Sequence, residues 1–158
     1  MELGLQQAGR RLRESLAMNY WLFKSEPFKF SFDALKKLGA KGTQWDGVRN
    51  YAARNNMKAM QVGDLGFFYR SNEGLDIVGI AEVCALAHHD TTTDDPRWEC
   101  VDIRAVRAVP NPPTLAAIKA NPKLSEMALV RLGRLSVQPV TPDEWREVCR
   151  MGGVDPAP

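Results

Sequence analysis

Residues 65–86 read L-G-F-F-Y-R-S-N-E-G-L-D-I-V-G-I-A-E-V-C-A-L. Two runs rich in aromatic and β-branched residues, Leu65–Arg70 and Asp76–Leu86, are joined only by Asn72-Glu73-Gly74, whose residue types favour a connection of turns. Strand therefore follows strand with no helix between, which argues against the regular strand–helix–strand rhythm of a doubly wound sheet. Just upstream, Val62-Gly63-Asp64 reads as a turn, preceded by a helix over Tyr51–Met60. Downstream, His88–Asp95 is polar and turn-rich. Trp98–Val109 then alternates with period two, setting Cys100, Asp102 and Arg104 against Val101, Ile103 and Ala105.

The flanks carry the same mixture. Tyr20–Lys24 (Y-W-L-F-K) is a buried strand that Pro27 ends, because proline has no N–H for a ladder. Ser31 caps a short helix through Leu38, with Phe32, Leu35 and Leu38 at core spacing. Trp45-Asp46-Gly47 is a tight turn. Pro110, Pro112 and Pro113 break the chain before a helix over Thr114–Ala120, and Met127–Leu132 reads as one more helical turn. Arg134–Val140 is a short strand. Thr141-Pro142-Asp143-Glu144 forms a capping box opening a helix to about Arg150, which Gly152 and Gly153 stop. The expected class is α+β: a mixed, partly closed β-barrel with short peripheral helices.

The chain has 158 residues, enough for one core, with 44% hydrophobic and 25% charged residues. Its formal charge is +2, from 21 basic and 19 acidic residues, which excludes the broad basic surface of a non-specific DNA binder but permits a local basic groove. Cys84, Cys100 and Cys149 are odd in number and far apart, so a disulfide framework or a structural zinc is not expected and a reducing compartment is. No apolar run approaches the ~20 residues that span a bilayer. The expectation is a cytoplasmic, soluble monomer with no membrane partner. Residues 1–17, with Leu5, Leu12 and Leu16 near one helical face among Arg10, Arg11 and Arg13, read as an extension outside the domain. Residues 152–158 read as a frayed tail.

Trp45–Asn56 (W-D-G-V-R-N-Y-A-A-R-N-N) concentrates candidate chemistry. A base reader needs an aromatic face, amides for base edges and arginine for edges or phosphates; stacking one base on an aromatic side chain is worth about 1–3 kcal/mol. Composition alone does not separate this from a core role for Trp45 and Tyr51 with the arginines as a solvated face. Lys24-Ser25-Glu26 at one strand end offers a cation, a hydroxyl and a carboxylate, either a proton-transfer pair with a nucleophile or a salt bridge before Pro27. Tyr69-Arg70-Ser71-Asn72 ends another strand, where Ser71 and Asn72 offer donors and acceptors or simply make a turn. His88, His89, Asp90, Asp94 and Asp95 lack metal spacing, so no metal is expected. Phosphate-cradling, nucleophile-elbow and zinc-protease motifs are absent.

Taken in order, Y-W-L-F-K-S-E-P (20–27), W-D-G-V-R-N-Y-A-A-R-N (45–55), F-F-Y-R-S-N (67–72), I-V-G-I-A-E-V (77–83), P-R-W-E-C-V-D (96–102) and R-L-S-V-Q-P-V-T (134–141) resemble the EVE domain family. The likeness covers about Met18 to Arg150. It implies a PUA-like fold, related to readers of methylated adenine, and a modified base of DNA or RNA flipped into a pocket near the strand ends, without catalysis or cofactor. Carried over by position, Trp45 looks like the stacking wall. Lys24, Ser25, Gly47, Val48, Arg49, Asn50, Ser71 and Asn72 look like pocket or rim, and Arg54 like a phosphate or structural contact. Two departures stand out. Arg70 replaces the histidine of Y-H-S-N, which implies an added phosphate contact or an altered rim. The stretch His88–Pro96 is shorter than the family's insertion, which implies a more open pocket.

The competing class is a small hydrolase of modified nucleosides, similar to the related ASCH domains, with Lys24, Ser25 and Glu26 as its catalytic group. A third reading is an RNA-binding accessory module that recognises shape or ends. For the base reader, Trp45→Ala is expected to abolish selectivity while leaving the fold largely intact.

Overall fold

The computed structural model describes residues 18–157; the extension expected over 1–17 lies outside the described residues. Six strands, β1 (Tyr20–Ser25), β2 (Thr43–Gln44), β3 (Leu65–Arg70), β4 (Asp76–His89), β5 (Glu99–Ala108) and β6 (Val137–Val140), form one sheet in the order β2-β5-β4-β3-β1-β6. β1 runs parallel to β3, and the other neighbours are antiparallel. The α+β class holds. The sheet is not closed, with β2 and β6 as its two edges.

Alternation along the strands divides the apolar side chains between two layers. Phe23, Phe68, Val83 and Ile103 face one layer, covered by α1 (Phe32–Lys37) through Phe32 and Leu35 and by α2 (Tyr51–Ala59) through Ala53 and Met57. Leu22, Phe67, Ile77 and Ile80 face the other, covered by α3 (Leu115–Ala120), α4 (Ala128–Arg131) and α5 (Pro142–Gly152) through Ile118, Leu129, Trp145 and Val148. Phe67 stacks on Trp145 with ring centroids 4.0 Å apart. Gly66 is required where it stands: a Cβ there would meet the Phe23 ring at 2.4 Å.

The caps follow the local sequence. Ser31 Oγ accepts from the Ala34 N–H at 3.1 Å, and Thr141 and Glu144 bond reciprocally at 3.0 and 3.2 Å. One expectation is revised: β4 continues past Leu86 to His89, because the long antiparallel pairing with β5 carries on to His89↔Glu99. Gly153 closes α5 in the left-handed conformation, and beyond it the Trp145 indole N–H donates to Pro156 O at 3.1 Å and Arg107 donates to Ala157 O at 2.6 Å.

This topology positions the site. Parallel pairing of β1 with β3 sets Lys24 beside Tyr69 and Ser25 beside Arg70, so the two strands end together. The Ser71 N–H then donates to Ser25 O at 2.9 Å. On the other side, β2 pairs with β5, and the Trp45 N–H donates to Val101 O at 2.8 Å, which fixes the start of the Trp45–Arg49 turn.

Candidate nucleic-acid interface

A cavity of about 520 Å³ opens between the end of β1 and the turn after β2, within the range of about 300–1,000 Å³ usual for small-molecule sites. Lys24, Ser25, Glu26, Lys29 and Phe30 line one side, Thr43–Arg49 the other, and Ser136 completes it. Trp45 is only 8% exposed, with Phe23, Phe30 and Phe68 set nearly perpendicular to it at 5.5, 6.1 and 5.7 Å. The indole is thus a core anchor and a cavity wall at once, and the two readings of this residue are not exclusive.

The turn beside it is held from below by Asp90, 1% exposed. The Gly47 N–H donates to Asp90 Oδ2 at 2.9 Å and Arg49 Nη1 donates to the same oxygen at 3.0 Å. The Thr92 N–H and hydroxyl donate to Oδ1 at 2.8 and 2.6 Å. Burial alone would push this carboxyl up; the hydrogen bonds from Thr92, Gly47 and Arg49 overcome it and hold Asp90 well below the usual carboxylate range. Gly47 adopts φ +80°, a conformation glycine takes without strain. Gln44 fastens the same two segments by donating to Thr91 Oγ1 at 2.5 Å. The short His88–Pro96 stretch therefore buttresses the cavity rim from beneath.

The remaining polar groups differ in how far they are committed. Lys24 Nζ donates to Gly133 O at 2.5 Å, and burial lowers its pKa. Ser25 Oγ donates to Phe30 O at 2.5 Å. Glu26 pairs with Lys29 at 3.2 Å rather than with Lys24. Burial, reinforced by the Asp90 charge, raises the pKa of Asp46, while Arg49 and Gln44 draw it down.

Beside the mouth lies a layer of arginines on aromatic rings. Tyr51 stacks on Trp98 at 5.0 Å. The Arg54 guanidinium sits 4.9 Å over Tyr51 and that of Arg49 5.5 Å over Trp98. Arg97 donates to the Tyr51 hydroxyl at 2.9 Å, and Arg54 to Arg97 O at 3.0 Å. Attraction between cation and ring face favours these positions, and Asp95 further holds Arg97 through bonds of 2.6 to 3.0 Å.

The EVE domain model matches residues 19–151. The chain belongs to the EVE domain family. Among relatives of this EVE protein, mouse Thymocyte nuclear protein 1 is 34% identical over 171 residues, which take in 88% of this chain and 76% of that one. A crystal structure of an Agrobacterium tumefaciens protein superposes with a TM-score of 0.85 at 64% identity, covering 86% and 94% of the two chains. Human THYN1, crystallised in complex with 5-methylcytosine-containing DNA, superposes with a TM-score of 0.80 at 33% identity, covering 87% and 99%.

Of the residues expected at the site, this EVE domain gathers Trp45, Lys24, Ser25, Gly47, Val48 and Arg49 around one cavity. Others lie outside its lining. Asn50 caps α2, its Oδ1 accepting from the Ala53 N–H at 2.9 Å. Ser71 and the exposed Asn72 form the turn after β3, Asn72 at φ +67°. Arg70, expected as an added phosphate contact or a rim residue, pairs with Asp76 through two bonds of 2.7 and 2.8 Å. Sequence reasoning missed Asp46, Asp90, Arg97 and Trp98 as site residues. What brings Asp90, Arg97 and Trp98 to the rim is more than 40 positions away, Gly47 for Asp90 and Tyr51 for the other two, whereas Asp46 stood in plain view inside the W-D-G turn. Among the described residues no cluster of His, Cys, Asp and Glu could hold a metal ion, and no helix is long and apolar enough to cross a membrane.

Proposed function

We propose that this EVE domain is a non-catalytic reader that takes one modified base, flipped from DNA or RNA, into the cavity beside Trp45. The observation that carries the reading is the cavity itself: an indole wall, a partly buried lysine and a carboxylate around a space of small-molecule size. The human relative's complex with 5-methylcytosine-containing DNA favours a cytosine derivative over an adenine derivative. Arg54, seated over Tyr51, suits the nucleic-acid backbone. The three free cysteines suit a reducing compartment such as the cytoplasm.

The hydrolase reading is weaker. Ser25 gives its proton to Phe30 O, Lys24 binds Gly133 O and Glu26 pairs with Lys29, so nucleophile, base and acid are committed to separate partners.

Flipping costs a few kcal/mol and least in single strands. Titration of matched single-stranded and hemimodified duplex oligonucleotides, differing in one 5-methylcytosine, tests the reading. Preference for the modified strand, larger in single-stranded form, is expected; equal affinity for modified and unmodified strands refutes it.

A further inference from the structure

We propose that Asp46 reads the exocyclic amine of the captured base, so that the cavity accepts amino bases and rejects oxo bases. This rests on the base-cavity reading above and adds to it the group that sorts the bases.

Most polar side chains of the lining already bond to the protein. The Gly47 N–H and Arg49 Nη1 donate to Asp90, Nη1 also to Val48 O and Nη2 to Thr92 Oγ1, which ties most of the Arg49 guanidinium to the protein. The Gln44 amide is shared between Thr91 and Asp46, and the Ser25 proton goes to Phe30 O. Of the two carboxylates in the lining, Glu26 is paired with Lys29 at 3.2 Å. Asp46 has no cation within ion-pair distance among the described residues. Asp46 is thus the lining carboxylate without an ion-pair partner, and around it the cavity offers the two remaining Lys24 N–H donors and the hydroxyls of Ser25, Thr43 and Ser136.

That set matches one edge pattern. Cytosine presents its 4-amino group as a donor, the group a carboxylate accepts, with N3 and O2 as acceptors for a lysine. Adenine also presents an amine. Thymine and guanine turn a carbonyl oxygen to the same place, where it meets the Asp46 carboxylate acceptor to acceptor. The distinction is needed: 5-methylcytosine and thymine carry the same 5-methyl group, so a pocket that recognised the methyl alone would be occupied by the thymines of any DNA. A site built around a hydrogen bond rejects the analogue lacking it far more strongly than an apolar slot rejects a methyl.

The experiment uses the full chain, fluorescence anisotropy and single-stranded oligonucleotides whose central residue is 5-methylcytosine, cytosine, thymine or 5-methyl-2-pyrimidinone, which lacks the 4-amino group. Wild type is expected to bind 5-methylcytosine about tenfold or more above thymine and above the pyrimidinone. Asp46→Asn can turn its amide to donate or accept, so its 5-methylcytosine-to-thymine ratio is expected to fall close to one while its thermal unfolding midpoint stays near wild type. If that variant does not fold, the pyrimidinone measured on wild type probes the same contact. A wild type that prefers 5-methylcytosine to cytosine but binds the pyrimidinone equally well, or an Asp46→Asn variant that keeps the wild-type ratio, overturns the role of Asp46 and leaves the cavity reading standing. A wild type indifferent to all four strands overturns both.

Discussion

Asp90 accepts a hydrogen bond from the Gly47 backbone N–H at 2.9 Å, joining the loop after β4 to the turn after β2 across 43 positions of sequence. That single bond, with its companion from Arg49, makes the cavity rim a fixed surface rather than a free loop. Asp90→Ala would leave both donors and the Thr92 pair without their acceptor, at a cost of about 1–3 kcal/mol. Urea unfolding should show that loss, and base binding should weaken with it. The sign with pH follows from a folded pKa below the ordinary range. The unfolded chain takes up the proton first, so the contribution is complete at neutral pH and disappears only under strong acid. Wild type and variant should therefore converge in stability as the pH falls below the usual carboxylate range.

Trp45 demands a different variant from the one the sequence recommends. With 8% exposure and three aromatic neighbours, Trp45→Ala opens a core cavity and should cost about 3–5 kcal/mol, so loss of binding there is confounded with loss of fold. Trp45→Phe keeps most of the packing. It is expected to remain cooperatively folded in thermal unfolding while losing most of the preference for the modified base.

How much of this was legible follows from which contacts are local. The strands at Tyr20–Lys24 and Leu65–Arg70, the Ser31 cap and the Thr141–Glu144 capping box all depend on neighbours within a few residues, and each stands where pattern placed it. Asn50 takes a local role that pattern also indicates: an asparagine before a helix is a cap, and its Oδ1 accepts there while its amide N–H groups make no bond within the described residues. Arg70 was read as available because its partner, Asp76, lies across a turn whose pairing register no motif announces. Asp90 looked like one more acid in a polar loop, and nothing short of the β4–β5 pairing brings it under Gly47.

His88 gives a second pH dependence, of opposite sign. Its Nε2 lies 2.7 Å from Asp102 Oδ1, and that hydrogen bond raises the histidine pKa against the opposing effect of burial, with help from the His89 backbone and the Asp102 and Asp90 charges. A raised folded pKa means the stabilisation is whole below the unfolded value near 6.5 and is lost as pH climbs through the folded value. Both partners are about one-third exposed, so the effect should stay under about 1 kcal/mol. The stability difference between wild type and His88→Gln should be largest under mildly acidic conditions and shrink in alkaline buffer.

The arginines on the Tyr51–Trp98 layer should govern affinity without governing choice. Arg54→Ala is expected to reduce the slope of log affinity against log salt by about 0.7 on single strands, and Arg97→Ala by less, because Asp95 already pairs with Arg97 at 2.6 Å. The ratio between modified and unmodified strands should be unchanged. A variant that altered the ratio and spared the slope would place that arginine inside the cavity.

The occupancy of the cavity itself can be read directly from the indole N–H resonances of the four tryptophans, assigned with Trp45→Phe, during titration with 5-methyl-2′-deoxycytidine. The expected result is a saturable shift at Trp45, with Trp145, packed in the opposite layer under Phe67, unmoved. A nucleoside that bound while leaving the Trp45 resonance in place, or shifted only Trp98, would contradict the claim that one base enters beside Trp45.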